Sequence, residues 1–142
     1  MKISIGSDHA GFELKEVIIN YLKSNHEILD KGCFDKERVD YSDFGHKVAN
    51  SVVLNETTIG ILLCGSGNGI AMSANKHAGI RAAICWNKEI CKLARQHNDA
   101  NILVLPARFV TSSEAIEMID IFLSESFEGG RHLERIKKIN IL

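Results

Sequence analysis

The chain is nearly devoid of proline: Pro106 is the only one in 142 residues. No repeat, low-complexity segment or linker-like stretch interrupts it either, so the length reads as one domain, 1–142, able to bury roughly 68% of the unfolded chain's surface. An excess of charge of one sign is also lacking. The formal net charge is −1, which removes both the footprint of a nucleic-acid binder and the cationic patch of a protein held on acidic lipid. No apolar stretch approaches the ~20 residues of a membrane span. Met1 to Gly6 reads as a short strand broken by Asp8 and His9, unlike the apolar region of a signal peptide. Cys33, Cys64, Cys85 and Cys91 form no C-x-x-C pair, so neither a zinc site nor a redox couple is indicated. These absences describe a reduced, cytoplasmic protein with no nucleic-acid or membrane partner.

What is present is a strict alternation of strand and helix patterns. Strands are expected over Lys2–Ser7, Glu27–Asp30, Thr58–Leu63, Gly79–Ile84 and Asn101–Leu105, where Pro106 stops the ladder because it has no N–H to donate. Helices are expected over Phe12–Ser24, Tyr41–Leu54, Ile70–Asn75 and Lys88–His97. A further helix is opened by a capping signal at Ser112, Ser113 and Glu114, and a basic one of about 131–139 follows Gly129 and Gly130. In the first helix Phe12, Val17, Ile18, Tyr21 and Leu22 make the apolar face. Successive βα units imply a Rossmann-like α/β three-layer sandwich: a five-stranded parallel sheet with helices on both faces and right-handed crossovers. Strand order is not legible.

The segment from Gly60 to Gly69 carries the most chemistry. An apolar run, Ile59 to Leu63, delivers Cys64 to a strand's C-terminal end, and glycine then alternates through Gly65, Gly67 and Gly69 before a helix begins. Such loops bring backbone N–H groups close to an anion, and the helix dipole adds to the attraction. The known phosphate loops do not fit. Ile70 stands where a dinucleotide fingerprint needs its third glycine and where a cysteine phosphatase needs arginine, and Phe12 stands where the first loop would need a P-loop lysine. Cys64 alone is equally readable as a small buried hydrophobe. Beside a glycine cradle, a thiol is placed to move a proton while the loop holds the resulting oxyanion, as enolisation requires.

Asp8 and His9 follow the first strand, Asp40 and Tyr41 follow the second, and Arg108 follows the fifth, so all belong to the same strand-end rim as Cys64. Arg95 to Asp99 end a helix and precede a strand, which puts His97 on the opposite rim. Either His97 is structural, a capping histidine, or a second subunit brings it across.

The motifs Gly6 to Gly11, Arg38 to Tyr41, Cys64 to Gly69, Ala74 to Lys76, Gly79 to Ala82, Arg95 to Asp99 and Glu128 to His132 together resemble those of ribose-5-phosphate isomerase type B, a family shared with galactose-6-phosphate isomerase subunits. The resemblance covers essentially the whole chain. It implies a cytoplasmic enzyme of the non-oxidative pentose phosphate pathway that interconverts ribose 5-phosphate and ribulose 5-phosphate without metal or cofactor. It also implies a homodimer, or a tetramer, with sites shared between subunits.

By that resemblance Cys64 is the base at C2, a thiolate favoured by the glycine-loop N–H groups. Gly65, Ser66, Gly67, Asn68 and Gly69 hold the cis-enediolate, with the Ser66 hydroxyl replacing a threonine common in the family. A second branch of the family carries a glutamate base at the position of Ile70, so Cys64 places this chain in the cysteine branch. His97 opens the furanose ring; Asp8, His9, Tyr41 and Asn98 hold hydroxyls and ring oxygen; Arg108, Arg131 and Arg135 clamp the phosphate, with the terminal helix serving that site or the dimer. Taken alone, Arg131 and Arg135 form a solvated basic helix face. His26, His46, His77, Cys33, Cys85 and Cys91 read as surface or packing residues. The alternatives are isomerisation of a six-carbon sugar phosphate (allose or galactose 6-phosphate) and a non-catalytic phosphosugar-binding module.

Overall fold

A run such as Ile59 to Leu63 stays apolar at every position only where both faces of the strand are covered, and in the structure each of its residues is buried. The structure is a computed structural model and describes residues 1–140. Its elements are β1 (Lys2–Ser7), α1 (Phe12–Leu22), β2 (Glu27–Asp30), α2 (Tyr41–Val53), β3 (Ile59–Cys64), α3 (Asn68–Ala74), β4 (Ala82–Ile84), α4 (Lys88–Asn98), β5 (Ile102–Pro106), α5 (Ser112–Ser124) and α6 (Arg131–Lys137). The strands form one parallel sheet in the order β2-β1-β3-β5-β4. The expected Rossmann-like sandwich is therefore present, and the order reverses between β1 and β3. In open sheets of this kind, ligands sit outside the strand carboxyl ends at that reversal.

Side chains alternate across β3 with the period of the pleat. Ile61 and Leu63 face a core built with Leu14, Ile18 and Leu22 of α1, Cys91 and Ala94 of α4, and Met118, Ile119 and Phe122 of α5. Leu62 and Cys64 face a second core with Phe44, Val48 and Val52 of α2 and Ile70, Ala71 and Ala74 of α3. Cys33, Cys85 and Cys91 are buried free thiols, in keeping with packing roles.

Several local expectations need correction. On α1 the buried stripe is Leu14, Lys15, Ile18 and Leu22, while Val17 and Tyr21 are exposed. Lys15 replaces them inside because its ammonium pairs with Asp30 at 2.7 Å and Glu16 at 3.0 Å, while Phe12 and Phe34 flank it at 5.5 and 5.7 Å. Strand β4 is shorter than expected because Gly79 adopts φ +82° in a turn, and Asn75 makes two side-chain bonds to the backbone of Ala82. Helix α5 is capped by Thr111, one residue before Ser112: its hydroxyl accepts from Glu114 N, and Glu114 returns the bond to Thr111 N. Helix α6 ends at Lys137. His46 and His77, expected to have no special partner, share a ring-nitrogen hydrogen bond of 2.8 Å. Among the described residues, no helix is long and apolar enough to cross a membrane.

Candidate active site

The Cys64 end of the site is built by backbone. Cys64 closes β3 beside Pro106 of β5, and its carbonyl accepts from Ala107 N at 2.9 Å. Gly67 then takes φ +81°, a left-handed conformation that side-chain-bearing residues seldom adopt, and caps α3. That turn starts the helix early, so Asn68 and Gly69 are its first residues, not part of the loop as expected. The Ser66 hydroxyl accepts from Asn68 N and Nδ2, each at 3.3 Å.

Asp8 meets Cys64 across the β1–β3 crevice. Its backbone N–H donates to Leu63 O at 3.1 Å, its Oδ1 accepts from Gly11 N at 3.0 Å, and its Oδ2 accepts from Cys64 Sγ at 3.3 Å. Both side chains are buried, at 6% exposure each. Glycine is required at position 11, where a Cβ would stand 2.7 Å from Leu63 Cβ and 2.8 Å from its carbonyl.

The thiolate expected from the glycine loop does not describe this chain by itself. Burial pushes the Cys64 thiol above its ordinary pKa, and the Asp8 charge and hydrogen bond push the same way; Gly67 and Gly65 amides oppose them without prevailing. The resting group is a thiol that donates to Asp8.

Three other expected residues join this end. Tyr41 lies over Gly69, where a Cβ would fall 2.4 Å from its Cζ. Arg108 lies against Gly65: its N–H donates to Gly65 O at 3.1 Å, and a Cβ on Gly65 would be 3.1 Å from Nη1. His9 Nδ1 accepts from Val39 N at 3.3 Å, which leaves its proton on Nε2.

His97, Asn98, Arg131 and Arg135 gather elsewhere. His97 lies in the last turn of α4 and stacks on His132 of α6, with centroids 4.2 Å apart and planes at 10°. Glu128 Oε2 is 3.7 Å from Nε2 of each ring. His132 is buried, and its pKa is lowered by burial first, then by His97, Arg131 and Arg135. Arg81 closes the end of α4 by donating to Asn98 O at 3.0 Å and Asp99 O at 2.9 Å. Arg131 and Arg135 are exposed on one face of α6, and among the described residues neither has an ion-pair partner. His97 and Asn98 of this cluster precede Ile102, which pairs with Gly60, whereas Cys64 pairs with Pro106. Four strand steps at about 3.3 Å put the two rims roughly 13 Å apart along the sheet. One chain does not bring Cys64 and His97 together.

Sequence reasoning gave His132 and Glu128 no role. Their four-residue spacing and the glycines between them were the available signal. Nothing in the sequence placed them on the end of α4, which depends on how α6 folds back.

Residues 3–139 match the sequence model of the ribose/galactose isomerase family. A ribose-5-phosphate isomerase B of Escherichia coli is 42% identical over 142 residues, covering 99% of this chain and 95% of that one. Among solved structures, a ribose 5-phosphate isomerase of Thermotoga maritima superposes with a TM-score of 0.97 at 50% identity, covering 99% of this chain and 98% of that one. A ribose-5-phosphate isomerase B of Mycoplasma genitalium, solved with bound ribulose 5-phosphate, gives 0.94 at 45%, covering 99% and 94%.

Proposed function

The chain belongs to the ribose/galactose isomerase family, and from that premise we propose that it is a ribose-5-phosphate isomerase, interconverting ribose 5-phosphate and ribulose 5-phosphate in the cytoplasmic pentose phosphate pathway. The observation that carries the reading is the Cys64–Asp8 pair at the mouth of the glycine loop, in a fold whose 45%-identical relative was solved with ribulose 5-phosphate.

The contact between Cys64 and Asp8 supports the following chemistry. Cys64 passes its thiol proton to Asp8, and the thiolate removes the C2 proton of the open aldose. The negative charge that then develops on the sugar oxygens is met by amides of Gly65 to Gly69 and the Ser66 hydroxyl, the largest expected electrostatic contribution. Protonated Asp8 returns its proton to O1, Cys64 delivers the carbon-bound proton to C1, and loss of the O2 proton to Asp8 completes the ketose. Protons balance without a metal or organic cofactor, because hydrogen-bond donors stabilise the enediolate.

His97 opens the furanose ring by acid–base transfer through its imidazole. Asp8, His9, Tyr41 and Asn98 hold the sugar, and Arg108, Arg131 and Arg135 hold the phosphate in guanidinium forks. The separation of the rims supports an active unit of at least a homodimer, with Cys64 and Asp8 from one subunit, His97, Asn98 and α6 from its partner, and Arg108 from either. A coupled assay comparing ribose 5-phosphate with allose 6-phosphate, run with and without chelator, tests this. Turnover confined to the hexose phosphate, or abolished by the chelator, would overturn it.

A further inference from the structure

The His97–Glu128–His132 cluster contains more than ring opening needs. Glu128 is anchored beside α4 because its N–H donates to Gln96 O at 3.0 Å, and His132 N donates to Gly129 O at 3.0 Å at the start of α6. The carboxylate oxygen stands 3.7 Å from both Nε2 atoms, too far for a hydrogen bond to either. A buried imidazole and a half-exposed carboxylate are therefore held in register without bonding one another. One ligand-type atom from each of the three residues lies within 4.8 Å of the other two.

A tetrahedral zinc ion with ligands at about 2.0–2.1 Å holds those ligands about 3.4 Å apart. The carboxylate needs to close by only a few tenths of an ångström. The parallel rings direct their lone pairs side by side, so one must tilt to share an ion; His97, with 35% of its side chain exposed, has room to do so while His132 stays packed at 7%. Two imidazoles and one carboxylate suit zinc or a comparable borderline ion and leave a fourth position open, whereas magnesium and calcium favour all-oxygen shells. Arg131 and Arg135 repel a cation from the same helix, which argues for modest affinity.

We propose that His97, Glu128 and His132 form an inhibitory binding site for zinc or a similar transition-metal ion. The cysteine pattern pointed to no zinc site; the candidate ligands are histidine and glutamate contributed by separate elements. The inhibitory half rests on the proposed function, because zinc would occupy the His97 lone pair that ring opening uses.

The test uses the full chain, stripped with chelator. Zinc chloride is titrated by calorimetry, and the same concentrations are applied to turnover of ribose 5-phosphate. The expected result is saturable binding of one zinc per chain and inhibition that chelator reverses, with millimolar magnesium inert. Glu128→Gln and His132→Gln should each weaken binding at least about tenfold and shift zinc inhibition equally, referred to each variant's own zinc-free rate. Cys64→Ala should still bind zinc, which separates this site from the catalytic thiol. Absence of saturable binding, binding that survives both substitutions, or binding lost in Cys64→Ala would overturn the site. Zinc bound through Glu128 and His132 with turnover untouched would overturn the inhibition, and would count against His97 as the ring-opening group without touching Cys64 as the base.

Discussion

The Cys64 end and the His97 end of this molecule are built in opposite ways. At the first, a thiol and a carboxylate are buried at 6% exposure and set by strand ends, glycine contacts and backbone N–H groups. At the second, an imidazole with 35% of its side chain exposed depends on a stacked ring, an unbonded glutamate and the short terminal helix α6. The first end is fixed by the sheet and should be rigid by itself. The second offers the exposed cations Arg131 and Arg135 of α6 and has no thiol near it among the described residues. The contrast is what the proposed sharing of a site between two subunits rests on: Cys64 and His97 lie on opposite rims of one chain.

Removing the base should break the first end most severely. Cys64→Ala is expected to keep the fold and lose on the order of 10²- to 10⁴-fold in turnover. Near-wild-type rates, with host isomerase excluded by purification from a deleted strain, would show that another group takes the C2 proton.

Next in size is the clamp. Arg135→Ala and Arg108→Ala each remove charge-assisted bonds of about 1.5–3 kcal/mol, so KM should rise roughly 10- to 100-fold, with a smaller part of the loss in kcat because remote binding also positions the sugar. Steady-state kinetics on both variants decide this; an unchanged KM in both, together with no competition by inorganic phosphate, removes the clamp.

A smaller effect separates rigid from exposed ends by stability. Gly11→Ala drives a methyl into the Leu63 backbone and should cost about 1–3 kcal/mol, read as a lowered Tm. Arg135→Ala, on an exposed face, should leave Tm nearly unchanged. Equal melting of the two variants would deny the difference in construction.

Smallest is the thiol's titration. The Asp8 charge raises the Cys64 pKa, second only to burial, so Asp8→Asn should lower it. Iodoacetamide should then alkylate Cys64 with a midpoint at lower pH than in the unmutated protein. A midpoint unmoved or shifted upward would mean that Asp8 does not set the charge state of the thiol.

Much of this was legible in the sequence, and the rest has identifiable physical reasons. The fold class followed from βα alternation, and the fully apolar run before Cys64 marked a strand covered on both faces. Tyr41 over Gly69 and Arg108 over Gly65 fell on the expected rim because strand ends dictate it. Lys15 was missed because a lysine on an apolar face signals exposure until its partners Asp30 and Glu16 are known. The Cys64 charge state is only half legible in the sequence: glycine N–H groups, which favour the thiolate, are visible as a motif, whereas burial and the Asp8 contact, which outweigh them, are products of the packed sheet. The His97–His132 stack depends on the return of α6 onto α4, which no local pattern encodes.

The division of the site between subunits is tested most directly by mixing two inactive variants. Cys64→Ala and His97→Asn are each confirmed nearly inactive, then unfolded and refolded together, and mixed dimers are counted by mass. Each mixed dimer contains one site with both groups intact and one lacking both. Up to about half of the unmutated activity per mixed dimer should return, since groups acting as a unit do not contribute additively. Mixed dimers that form but stay inactive on ribose 5-phosphate would contradict a site shared between Cys64 of one subunit and His97 of its partner.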